Sequence, residues 1–288
     1  MNILLILSLL IGVPYGYTQY SIAKIEKIHP PAGQFKVIDN IKMHYQISGS
    51  GPIVILLHAQ PSNQEQFNKL KDVLKNNYTV ISIDRPGMGY SESIKEQSPK
   101  RLRQQARLIR GLVREITNEK PIVVGHSYGG ALALSYVVQF EEEISGLIVV
   151  NTASHAWKKG KPWLPFRIIS NPLYGKLFTN TFAMLYGQTT ISSSANSNFP
   201  NGQTPSNYID DTSAALILRP KTLEAYATDA LNLREALALQ QDSYAKLTLP
   251  VTIMSGDEDN VTPNKIRDRG LNSVAIGDLA LSQRIPLS

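Results

Sequence analysis

Three short segments hold the residues best able to do chemistry. Gly125-His126-Ser127-Tyr128-Gly129 follows an apolar run, Ile122 to Val124, and opens a stretch that begins with the small residues Gly129, Gly130, Ala131 and Ala133. A serine at the centre of such a strand-to-helix turn stands exposed, its hydroxyl placed to attack a carbonyl carbon. The N–H of Tyr128, at the start of the helix, points where negative charge develops on the attacked oxygen. His58-Ala59-Gln60-Pro61 ends a second apolar run, Ile53 to Leu57, and offers the Gln60 N–H as the other half of an oxyanion hole. Gly256-Asp257-Glu258-Asp259 follows a third run, Val251 to Met254. In the chain order serine, acid, histidine, Asp259 is the expected triad acid, with Asp257 second. The same cluster starts like a calcium loop but has Thr262 where the turn glycine belongs, so no metal site is expected.

These segments need a frame. Short apolar runs at Ile53–Leu57, Tyr78–Ile83, Ile122–Val124, Leu147–Val150 and Val251–Met254 are bounded by turn residues. The early ones alternate with helical stretches near residues 64–74, 100–117 and 130–140. Such alternation predicts an α/β fold with a mostly parallel sheet covered on both faces, ligands gathering at the carboxyl ends of the strands. Residues 35–39 and 41–47 read as a hairpin around Asp39-Asn40. Asp84-Arg85-Pro86-Gly87-Met88-Gly89-Tyr90-Ser91 reads as a structured turn in which Asp84 and Arg85 pair with each other. Regularity lapses between residues 154 and 219, a stretch too long for a loop, which predicts an inserted helical cap. The core is then 30–153 with 220–288.

Composition sets outer limits. A chain of 288 residues, 42% hydrophobic and 18% charged, is long enough to bury one large core. Cysteine is absent, which excludes disulfides and thiolate metal sites. Much of the net charge of +6 lies between Lys95 and Lys120. Leu102, Ala106, Ile109, Val113 and Ile116 recur there at helical spacing, so the basic residues read as the wet face of one helix, and no nucleic-acid partner is expected. Residues 1–23 carry no charged side chain, and Ile3 to Val13 is almost purely apolar. With Tyr15, Tyr17 and Tyr20 as interface anchors, this segment reads as a single membrane anchor outside the folded core, giving a membrane-anchored protein. The alternative is a cleaved signal on a secreted or periplasmic protein.

Taken together and in this order, the motifs resemble the α/β-hydrolase superfamily, from about Pro30 to Pro263. The stretches Pro30-Pro31-Ala32-Gly33, His44-Tyr45 and Gly49-Ser50-Gly51-Pro52 are similar to the entry into the core in many members. Ala59 replaces the glycine of the usual oxyanion turn. Haloalkane dehalogenases and epoxide hydrolases share the proline form of that turn but use an aspartate nucleophile, and Ser127 argues against both chemistries. The resemblance implies a serine hydrolase acting on a small, fairly apolar acyl or ester substrate, without a cofactor.

Family members place a catalytic histidine after the acid. Here the 29 residues that follow Asp259 contain none. Leu281 to Ser288 reads as a truncated or frameshifted end, and poor turnover is expected. Of the five histidines, His29 and His44 lie at the start of the fold, His58 reads as packing, and His126 turns away from its neighbour Ser127. His155, after the Leu147–Val150 run, is the one plausible stand-in base. A non-catalytic binding protein on the same fold and a cofactor-free haloperoxidase-type enzyme are the rival readings.

Overall fold

The computed structural model describes residues 3–158, 160, 163–197, 199 and 204–255. Seven strands form one sheet: β1 (Gln34–Ile38), β2 (Ile41–Ser48), β3 (Ile53–Leu57), β4 (Thr79–Ile83), β5 (Ile122–His126), β6 (Gly146–Val150) and β7 (Val251–Met254). Their spatial order is β1-β2-β4-β3-β5-β6-β7. The β1–β2 and β2–β4 pairs are antiparallel and the rest parallel. Asp39 and Asn40 both have positive φ, as a tight hairpin turn demands.

The α-helices are α1 (Ile3–Ile28), α2 (Asn68–Leu74), α3 (Arg101–Ile116), α4 (Tyr128–Phe140), α5 (Leu164–Ile169), α6 (Tyr174–Thr181), α7 (Ala183–Asn196), α8 (Tyr208–Asp211) and α9 (Pro220–Ala238). All five residues of β3 are buried, as a strand covered on both faces must be. Leu102, Ala106, Ile109 and Val113 of α3 join β3, β4 and α4 in the main core. Helices α5 to α8 occupy the chain between β6 and β7 and, with α1 and α9, form a second packed layer.

Register positions the site. Leu57 pairs with Gly125, His126 with Val150, and Val150 with Met254. His58, Ser127, Asn151 and Ser255 therefore leave the sheet at one edge, the carboxyl edge of its parallel strands.

The membrane-spanning helix expected at the N-terminus is not found among the described residues. Among the described residues no helix is long and apolar enough to cross a membrane. The apolar run of α1 stops at the polar Thr18-Gln19-Tyr20-Ser21, and Lys24, Glu26 and Lys27 follow within the same helix. Nor does α1 stand apart. Thr18, Ser21 and Ile25 are buried, Thr18 Oγ1 donates to Thr181 O at 3.0 Å, and Ile25 packs with Met184, Leu216 and Leu218. The membrane-anchored localisation read from the sequence falls with the anchor.

Candidate functional site

Ser127 links β5 to α4 with φ 53° and ψ −118°, a conformation in which an L-residue is strained. The turn is pinned at both ends. Ser127 N–H donates to Val150 O at 2.9 Å, and Ser127 O accepts from Gly130 N–H at 3.0 Å. Glycine is a steric requirement here. A Cβ on Gly125 would lie 2.4 Å from Gly129 O, and one on Gly129 would lie 2.1 Å from Leu57 O. Close approach of α4 to β3 and β5 thus forces the small residues that the sequence shows.

The two expected oxyanion donors are open. Among the described residues neither the Gln60 N–H nor the Tyr128 N–H has a hydrogen-bond acceptor. Tyr128 opens α4, so its N–H adds the positive end of the helix dipole. Ala59 N–H is taken instead by Gln66 Oε1 at 2.8 Å. The amide of Gln66 donates onward to His126 Nδ1 at 2.6 Å, tying the His58–Pro61 turn to the residue before Ser127. The Gln60 side chain donates to Tyr226 O of α9 at 2.8 Å.

Behind the turn lies a buried polar network that the sequence did not reveal. His58 is fully buried and neutral. Its Nδ1–H donates to Ala59 O at 2.8 Å, and its Nε2 accepts Arg85 N–H at 3.0 Å. Burial, then the charge of Arg85, lowers its pKa to about 3. Asp84 does not pair with Arg85. It accepts from His44 Nδ1 at 2.7 Å, Gln64 N–H at 2.8 Å and Tyr90 N–H at 2.8 Å. Burial alone would raise its pKa, but these donors, His44 first, hold it below the usual carboxylate range. Arg85 pairs instead with Asp229 of α9, which also accepts from Arg101 Nε at 2.5 Å and Gln105 Nε2 at 2.8 Å. Arg101 is buried, so α3 is not a purely solvated basic face.

Asp259 lies outside the described residues, as does Asp257. Ser255, next to the end of β7, is the last described position before them. His155 follows β6 by five residues. Ser154 Oγ lies 2.9 Å from its Nδ1, and its ring meets Tyr244 edge-on at 5.5 Å. Among the described residues no group of His, Cys, Asp or Glu could hold a metal ion. A groove of about 1190 Å³ between α1, α9 and residues 87–97 contains none of Ser127, Gln60 and His155. Donors without an acceptor beside a strained serine locate a reaction site better than volume does, so the turn at Ser127 is the candidate.

Residues 52–269 match the family model described as the alpha/beta hydrolase fold. The chain belongs to the α/β hydrolase family. Among relatives of this α/β hydrolase, epoxide hydrolase 3 of Xenopus tropicalis is 26% identical over 165 residues, 55% of this chain and 42% of that protein. The chain spans less than half the length of the first curated relatives it matches, 37% to 42%. Solved structures share its fold, among them these two. Cfl2 from Burkholderia cenocepacia has a TM-score of 0.68 at 16% identity, covering 84% of each chain. An esterase from Exiguobacterium antarcticum has a TM-score of 0.62 at 20% identity, covering 85% of this chain and 88% of that one.

Proposed function

We propose that this protein is a serine hydrolase acting on small, fairly apolar carboxylic esters or related acyl compounds. The observations that support the proposal are the strained Ser127 backbone and, among the described residues, the absence of an acceptor for the Gln60 and Tyr128 N–H groups. Ser127 Oγ attacks the ester carbonyl and a base takes its proton. The tetrahedral oxyanion rests on the N–H groups of Gln60 and Tyr128, each such donor worth about 3 kcal/mol in the transition state. Collapse expels the alcohol, and water then cleaves the acyl-enzyme. Asp259 is the assigned acid. His155 is the stand-in base, because it sits just past β6, whose Val150 accepts from Ser127 N–H.

The helices of residues 154–219 serve as the cap. Trp163, Phe166 and Tyr226 stack edge to face at 4.8 and 4.9 Å, and the Tyr226 backbone holds the Gln60 side chain. This aromatic row beside the oxyanion turn favours an apolar acyl group. The Xenopus relative is named for epoxide hydrolysis, but the nucleophile position here carries a serine hydroxyl, which forms an acyl-enzyme.

Hydrolysis of short-chain p-nitrophenyl esters by the wild type and by Ser127→Ala tests the proposal. Slow turnover above the buffer rate, lost in the variant, is expected; equal rates for the two proteins contradict it. Halide-dependent peroxide chemistry would favour the haloperoxidase reading instead. His155→Ala is expected to lower the residual turnover at least about tenfold; unchanged turnover removes His155 from the mechanism.

A further inference from the structure

One guanidinium touches both halves of the proposed oxyanion hole. Arg85 Nε donates to His58 O at 3.0 Å, and its NH2 group donates to Ala59 O at 3.3 Å, on the two residues before Gln60. Its Cζ also lies 4.3 Å from the centre of the Tyr128 ring. A cation in this place fixes the spacing between the turn that carries one donor and the helix start that carries the other.

Arg85 is in turn held from α9. Asp229 accepts from Arg85 NH1 at 3.3 Å while its other oxygen takes Arg101 and Gln105, and both members of the Arg85–Asp229 pair are fully buried. Gln105 also reaches Tyr128 OH at 3.4 Å. One turn earlier on the same helix, Tyr226 O holds the Gln60 side chain. Positions 226 and 229 share a face of α9.

From this geometry we infer that Asp229 is a positioning residue for the oxyanion hole, acting through Arg85 and keyed to α9. The inference rests on the proposed hydrolase site. It also makes α9, the helix that follows the inserted layer, the element through which that layer reaches the catalytic turn. Asp229 touches no substrate. It stops the guanidinium from drifting and compensates its charge in a place closed to water.

The test is the rate at which an alkyl fluorophosphonate modifies Ser127, resolved into a maximal rate and an apparent binding constant. In Asp229→Asn the maximal rate is expected to fall at least about tenfold, because donors displaced by a fraction of an ångström no longer meet the oxyanion. The binding constant is expected to stay near the wild-type value. Arg85→Lys, which keeps a cation beside Asp229 but loses the forked donors to His58 O and Ala59 O, guards against a variant that fails to fold. It is expected to show the same split.

Hydrogen–deuterium exchange supplies a readout that does not need catalysis. Faster exchange confined to residues 57–66 and 84–90 supports positioning. A uniform loss of protection that includes β3 and β5, or wild-type labelling rates in both variants, overturns it. If wild-type Ser127 is not labelled, the hydrolase reading fails by itself, and unchanged exchange in the turn would sink the positioning role as well.

Discussion

Ser127 keeps a backbone conformation that costs on the order of 1–3 kcal/mol in any residue with a Cβ, and nothing about sheet packing requires a serine there. Ser127→Gly is therefore expected to raise stability by about 1 kcal/mol, roughly 2 °C in melting temperature, while ending any reaction with the serine. A lower melting temperature would show that the turn is unstrained. His58 makes a second statement at this scale. Its folded pKa of about 3 lies below the ordinary 6.5, so on acidification the unfolded chain takes up the proton first. Stability falls as pH drops from about 6.5 toward 3, by on the order of 4 kcal/mol in all. Asp84, also depressed, contributes stability above the normal carboxylate pKa of 3.8 and loses it only as the pH falls through that value and below. Glu141 and Glu143, lowered from 4.5, lose their contribution as the pH approaches that value, so the loss between about pH 6.5 and 5 belongs to His58. Urea midpoints between about pH 7 and 5 should fall in the wild type and fall less in His58→Gln; equal slopes would contradict the assignment. Ser127 was legible in the sequence because its neighbours must be small. The partners of Asp84 and Arg85 were not, because adjacency in sequence suggested a pair, whereas the side chains reach residues 40 and 144 positions away. A lone carboxylate among Ala225, Ala227, Thr228 and Ala230 was the available sign of Asp229.

The elements were easier to read than their ends. Strands β3 to β7 lie where apolar runs lie, and α3 and α9 start and stop within a few residues of their hydrophobic periods. The helix expected from residue 130 begins at Tyr128, because the glycines are helical there and serve close packing. That packing has a measurable consequence. Gly129→Ala puts a methyl group 2.1 Å from Leu57 O, a backbone atom of a fully buried strand that cannot move aside. A loss of about 3 kcal/mol in thermal or urea unfolding is expected. A loss under about 1 kcal/mol would mean that α4 slides without cost and the elbow is looser than described.

At the scale of the whole molecule, the fold class was visible before the topology, since alternation dictates a parallel sheet but not its strand order. The N-terminal helix was misjudged because its sequence is apolar through its first half while its buried positions, among the described side chains, lie in its second half. Hydropathy sees the first half; packing uses Thr18, Ser21 and Ile25. Ile25→Asp is expected to lower stability by about 3 kcal/mol by placing a charge among Met184, Leu216 and Leu218; unaltered stability would detach α1 from the layer it joins. The centre of the account remains the hydroxyl at the elbow. Its most direct measurement is peptide mapping by mass spectrometry after prolonged exposure to a fluorophosphonate. A single adduct on the Ser127 peptide, absent from Ser127→Ala, is the expected result. An unmodified Ser127 peptide, or an adduct that survives the substitution, would contradict the account.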